Sequence, residues 1–302
     1  MAAALTAGFF FRTCYPALGI AQSTVLSVMY AFSGYTLLYY QNIVWLDMLY
    51  VFPLVVLGLY QIVTREKGWL YFGALIAAIV VQFYLTYMVV LFIIFASVLF
   101  VYFYLPPERR RRVLFLIAIF SVVAFFVTAA IWIPLLYQYF RSGRTVGLLE
   151  SLLSGGIWAR WETTLMTVLC TTLILAVIPI RLLLAKEFPK RRPAVSLILF
   201  FMMLIPLVFE PINKMWHTGS YQAFPSRYGF ITVLCGLMVA AEVMAVLNHK
   251  VDEKKSQAMI PIRDVPFLFH ALRSSLERLS FWEEFSLQAS GKHYRLIVRT
   301  LW

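Results

Sequence analysis

Between two apolar runs, residues 209–228 read FEPINKMWHTGSYQAFPSRY and gather Glu210, Asn213, Lys214, Trp216, His217, Arg227 and Tyr228. Lysine and arginine attract phosphate oxygens, arginine through two parallel hydrogen bonds. Flat aromatics beside acids and amides suit sugar rings. Three other stretches carry similar mixtures: NIVWLD with Asn42, Trp45 and Asp47; QFYLTY with Gln82, Tyr84 and Tyr87; and a polar loop over 137–162 with Arg141, Arg144, Trp158, Arg160, Trp161 and Glu162. Each has a plainer reading. Trp45, Trp158, Trp161 and Trp216 suit a membrane-interface belt, and Asp47 could cap a helix start. A lone His217 is more often a structural hydrogen-bonder than a base, and Tyr84 and Tyr87 read as packing residues.

What must position these groups is set by composition. The 302 residues are 62% hydrophobic and 13% charged, with a mean hydropathy of +0.82. Soluble chains are nearer half apolar and a quarter charged. The apolar runs are continuous rather than alternating, which excludes a lipid-embedded barrel and predicts an all-α, polytopic transmembrane helix bundle. The net charge of +12 is confined to short loops, which excludes a nucleic-acid partner and matches the positive-inside pattern. Cys14, Cys170 and Cys235 are scattered and show no metal-ligand spacing.

In chain order, the first apolar residues are too few to span and carry no leading charge, so they read as the end of a helix whose beginning is missing, not as a cleaved signal. Ala17–Tyr40, Met48–Val63, Val113–Leu136, Thr163–Leu184, Ala194–Phe209 and Phe230–Leu247 read as spans. Trp69–Leu105 would be roughly 55 Å as one helix, against about 30 Å of hydrocarbon. It must break near QFYLTY, giving about eight membrane segments including a short broken pair. The run Arg109–Arg112 belongs on the cytoplasmic side. Alternation then puts RTCYP, REK, KEFPKRR and HKVDEKK there too, and all four polar-aromatic groups on the other face. Lys214 and Arg227 stand where the charge bias disfavours cations, which favours an anion-binding role. Residues 1–250 form the transmembrane domain. Residues 251–302 form a cytoplasmic tail, whose Asp264–Leu279 spacing fits an interfacial amphipathic helix, the alternative being a disordered or mis-terminated tail.

No phosphate loop, dinucleotide fingerprint, zinc motif or nucleophile elbow is present, and no metal site is expected. AFSGY (Ala31–Tyr35), NIVWLD (Asn42–Asp47), PLVVLGLYQIV, QFYLTYM, NKMWHTG (Asn213–Gly219) and FPSRYGF (Phe224–Phe230), in this order over roughly residues 1–248, resemble the YfhO family of bacterial membrane proteins. The resemblance implies a GT-C-type glycosyltransferase fold in the bacterial plasma membrane. Such a protein takes a sugar from a polyprenyl-phosphate carrier and attaches it to a cell-envelope polymer such as lipoteichoic acid, on the outer face. It implies no cofactor beyond the lipid-linked donor and leaves a metal requirement open. Family members are longer and begin with an outer loop bearing the catalytic acid, which nothing here matches, so the chain reads as an internal fragment. On this reading Lys214 and Arg227 hold the carrier phosphate. Asn42, Trp45, Asn213, Trp216, His217 and Tyr228 line the sugar or acceptor site, and Asp47 stands in for the missing acid. The alternatives are a flippase of lipid-linked sugars and a non-catalytic membrane scaffold.

Overall fold

A computed structural model describes residues 1–141, 156–159, 172–184, 194–218 and 224–257. Among them there are helices, no strand and one isolated antiparallel bridge, Trp158 to Phe209. The helices are α1 (Ala2–Cys14), α2 (Ile20–Ala31), α3 (Gly34–Tyr39), α4 (Ile43–Arg65), α5 (Trp69–Val81), α6 (Phe83–Tyr104), α7 (Pro107–Val127), α8 (Ala129–Arg141), α9 (Thr172–Leu183), α10 (Ala194–Val208), α11 (Glu210–Trp216) and α12 (Gly229–Gln257). The chain divides into two compact units, Met1–Val251 and Asp252–Trp302. Of the second, only the helical residues 252–257 are described, so the expected amphipathic helix lies outside the described residues. So do Arg144, Arg160, Trp161, Glu162 and Cys170.

Among the described residues three helices are long and apolar enough to cross a membrane: Ile43–Arg65, Phe83–Tyr104 and Gly229–His249. The bent pair α7–α8 makes a fourth if counted as one span. Helices α1, α5 and α10 are apolar but shorter. The protein is thus a membrane-embedded helix bundle. Against the expected eight segments, the described residues contain three or four of full length.

The long run from Trp69 breaks at Gln82, as its length demands. This residue leaves the helix (φ −153°, ψ 81°) and ends α5 while starting α6. Two other spans differ from expectation. Ala17–Tyr40 is not one helix: α2 ends at Ala31, and Ser33 takes extended backbone (φ −68°, ψ 167°) before α3. A Ser–Gly pair is a common place for a helix to break. The span expected from Val113 begins earlier, at Pro107, and bends by 69° between α7 and α8. At the bend the Thr128 hydroxyl donates to the carbonyls of Ala124 (2.8 Å) and Phe125 (3.1 Å), a back-bond that bends helices.

Lipid is as apolar as leucine, so these helices hold together by close fit. In the α4–α5 hairpin a Cβ on Gly58 would fall 2.4 Å from the Cα and N of Tyr71, so only glycine permits this approach. Helix α12 is the most enclosed span, 72% buried against 56% for α4 and α6. Its Phe230 ring meets Phe52 of α4 at 5.3 Å and Tyr35 of α3 at 5.5 Å. Further along α12, Glu242 accepts a hydrogen bond from Ser196 of α10 (2.5 Å), with Arg181 of α9 in electrostatic reach.

The hairpins give the bundle two distinct ends. At one, Glu66 caps α4 in the left-handed region (φ 57°). Its carboxylate bridges Arg109 (2.6 Å) and Arg112 (3.2 Å). Arg110 donates to the carbonyls of Leu105 and Tyr102. At the other, about 30 Å away along α4, the starts of α4 and α6 meet residues 209–218 and 224–228.

Candidate functional site

Helix α11 is held at both ends. At its start, Ala159 N–H donates to Val208 O (2.8 Å) and Glu210 N–H to Ile157 O (2.9 Å). This backbone clasp lays the Trp158 ring on Phe209, 5.3 Å apart and 26° from parallel. At its end, Thr218 sits in the left-handed region (φ 56°), an uncommon conformation for a β-branched residue and a local strain. The last carbonyls of a helix have no partner within it. Here Tyr87 of α6 donates to Met215 O (3.0 Å) and Tyr84 to His217 O (3.4 Å). The helix break at Gln82 is what points two tyrosines, one turn apart, at α11.

Asn213 ties α11 to residues 224–228. Fully buried, its Nδ2 donates to Pro225 O (2.9 Å) and toward Tyr228 Oη (3.4 Å). The Asn213 carbonyl accepts from His217 Nδ1 at 2.8 Å. A carbonyl can only accept, so Nδ1 carries the proton and Nε2 is the acceptor nitrogen of the neutral ring. Burial lowers the His217 pKa to about 3, with the nearby Arg227 charge pushing the same way against the helping bond to Asn213 O. Such a histidine stays neutral at physiological pH and is a poor proton acceptor there. The rings of Trp216 and His217 pack on Tyr228 at 5.4 and 5.6 Å, all three buried, so they form the floor of the site.

Above that floor lies Arg227. Its guanidinium carbon is 5.0 Å from the Trp45 ring centre, 5.2 Å from Tyr84 and 5.8 Å from Phe224. Three rings from α4, α6 and the loop thus surround one cation, within cation–π range. The loop itself is pinned by Tyr39 of α3. Ser226 N–H donates to Tyr39 Oη (3.1 Å), and that hydroxyl lies 2.9 Å from Ser226 Oγ. Phe224 also meets Trp45 edge-on at 5.0 Å. A guanidinium carries its N–H donors in its own plane, a fork geometry that suits a phosphate.

The structure therefore brings Trp45, Asn213, Trp216, His217, Arg227 and Tyr228 together at one end of the bundle. Lys214 is at the same end in a different setting: its ammonium pairs with Glu210 one turn back at 3.8 Å, both side chains largely covered. Asn42 and Asp47 are not drawn into the cluster. Asn42 begins α4, with its N–H on Tyr39 O and its carbonyl accepting from Trp45 N–H. Asp47 lies inside α4, not at its cap, with Tyr50 about one turn further along. Two residues beyond Trp45, it is about 200° around the helix from that ring. Arg141 stacks on Tyr137 within α8.

Sequence reasoning missed Tyr39, Phe224 and Ser226 as site builders and undervalued Tyr84. Phe224 and Ser226 stood in view inside FPSRY. Tyr39 carried no signal beyond an aromatic in an apolar run, because its partner is 187 residues away. Among the described residues no three His, Cys, Asp or Glu side chains gather as a metal would need.

Compared with known proteins, residues 1–263 match a family described as bacterial membrane protein YfhO. No curated protein and no solved structure matches.

Proposed function

The chain belongs to the YfhO family, and from that membership and the caged arginine we propose a membrane glycosyltransferase of GT-C type. Its donor is a sugar on a polyprenyl-phosphate carrier, and its acceptor is a cell-envelope polymer such as lipoteichoic acid. The observation that carries this reading is Arg227, held among Trp45, Tyr84 and Phe224 at the end of the bundle away from the Arg109–Arg112 loop. A cation kept at membrane depth is costly and marks a substrate path or a partner. In the bacterial plasma membrane, with basic loops and tail in the cytoplasm, this end faces outward.

The transfer is a substitution at the sugar's anomeric carbon. The acceptor hydroxyl oxygen attacks that carbon and a glycosidic C–O bond forms. The C–O bond to the carrier phosphate breaks, and its electron pair stays on the phosphate. Arg227 stabilises that charge in the role of a fixed donor, with Lys214 a second cation on the same face. A carboxylate takes the acceptor's proton. Among the described residues Asp47 and Glu210 are acids at this end, and Glu210 is the one already beside Lys214. Asn42, at the start of α4, and Trp45 serve the sugar or acceptor, with the buried Asn213, Trp216, His217 and Tyr228 as the floor beneath. His217 orients and does not act as the base.

The decisive assay is sugar transfer from a polyprenyl-phosphate donor to the envelope polymer by the full protein in lipid. Arg227→Ala should abolish most transfer, and unchanged transfer would remove the assignment. The flippase reading draws on one observation, the Glu242–Ser196 hydrogen bond with Arg181 nearby, inside the bundle rather than at its end. Movement of a labelled carrier lipid between leaflets by purified protein in liposomes would favour it.

A further inference from the structure

We infer that Tyr84 is the positioning residue that sets the direction of Arg227, an inference resting on the anion-binding reading above. One side chain does two jobs. Its ring lies 5.2 Å from the Arg227 guanidinium, and its hydroxyl donates to the carbonyl of His217 at 3.4 Å. Tyr84 is the second residue of α6, immediately after the break at Gln82. The break therefore fixes where the ring stands, and the hydroxyl bond stops the ring from swinging away. Trp45 and Phe224 are placed differently: they meet each other edge-on at 5.0 Å and also pack on Tyr39. They would keep their mutual contacts if Arg227 moved. Tyr84 is the ring that ties the cation to α11 and the His217 carbonyl.

Tyr87 supplies a matched control. It lies one turn along the same helix and caps the neighbouring carbonyl, Met215 O, at 3.0 Å, with no ring contact to Arg227 among the described contacts. If Tyr84 only packed, replacing either tyrosine would have similar effects. If it positions the cation, the two separate. The ring contact is worth about tenfold in affinity when partly desolvated.

Two measurements on the full protein in nanodiscs test this. The first is labelling of Arg227 by phenylglyoxal, read by mass spectrometry, which needs no ligand. Labelling should be slow in the wild type and several-fold faster in Tyr84→Leu. It should rise less in Tyr84→Phe, which keeps the ring but loses the hydroxyl bond, and stay near wild type in Tyr87→Phe. The second is binding of undecaprenyl phosphate, with inorganic phosphate as competitor. Tyr84→Leu should weaken lipid binding about tenfold while Tyr84→Phe stays within about threefold. Competition by inorganic phosphate would locate recognition in the headgroup, and its absence would assign a share to the chain. Equal labelling of Arg227 in wild type and Tyr84→Leu overturns the positioning role. So does an equal rise in Tyr84→Phe, Tyr84→Leu and Tyr87→Phe, which would mean general loosening. Changed labelling with no lipid binding by the wild type upholds the role of Tyr84 and removes the phosphate reading instead.

Discussion

The two ends of the bundle use the same kinds of residue to opposite effect. At one end Arg109 and Arg112 reach Glu66 with side chains 44% and 73% exposed. Exposed pairs of this sort are worth about 0–1 kcal/mol and are screened by salt. Their value lies in number and sidedness, which set orientation in the membrane. At the other end a single arginine is ringed by three aromatics, above a buried histidine and asparagine. Building it recruits side chains from α3, α4, α6, α11 and the loop before α12. Charge held by solvent is cheap and replaceable, whereas charge held by a dedicated cage persists because something else needs it there.

That contrast can be broken from either side. The largest expected effect is on transfer: Arg227→Ala should lower it about 100-fold or more, as for loss of one fixed donor. Arg109→Ala in the same assay should leave it close to wild type. Equal losses would mean the two ends are not different in kind. Next is Gly58→Val in the α4–α5 hairpin, where added carbons meet the Tyr71 backbone. Overpacking should cost about 1–3 kcal/mol, seen as a lower unfolding temperature in detergent, and should disturb both ends because α4 carries Trp45 and Glu66.

Acid should affect the ends differently. Folded His217 takes up a proton only near pH 3, while the unfolded residue does so near 6.5. Between these values protons favour the unfolded state, so its contribution is complete above about pH 6.5 and fades as pH falls toward 3. Thermal unfolding against pH should show this loss in the wild type and a shallower one in His217→Gln. The smallest effect is at the arginine end. Glu66→Gln should change stability by less than about 1 kcal/mol, a change that 0.5 M salt should largely erase.

How much of this was legible in the chain depends on which physical signal each feature leaves. Length alone exposed the break at Gln82, because no membrane holds a straight helix from Trp69 to Leu105. Charge bias grouped the right loops: NIVWLD, QFYLTY and residues 209–228 do meet through Trp45, Tyr84 and Arg227. Hydropathy is blind to a bend that stays apolar, so the breaks at Ser33 and Thr128 went unread. It also reports no helix phase, which is why Asp47 was grouped with Trp45 although it points elsewhere on α4. The separation of Arg227 from Lys214 depends on side-chain partners, Glu210 for one and three rings for the other, and spacing does not encode them.

The tether from Tyr39 to Ser226 spans 187 residues of chain, and this sets a timetable for biosynthesis. A ribosome adding about 5–20 residues per second needs roughly 10–40 s to cover that distance. Within that interval α4 and α6 follow α3 out of the ribosome, while the loop that brings Arg227 comes only at its end. Trp45, Tyr84 and the Tyr39 hydroxyl therefore wait in the nascent bundle for a cation that arrives just before α12 is synthesised. Anything that delays insertion of that helix leaves Trp45 and Tyr84 standing without the cation they face.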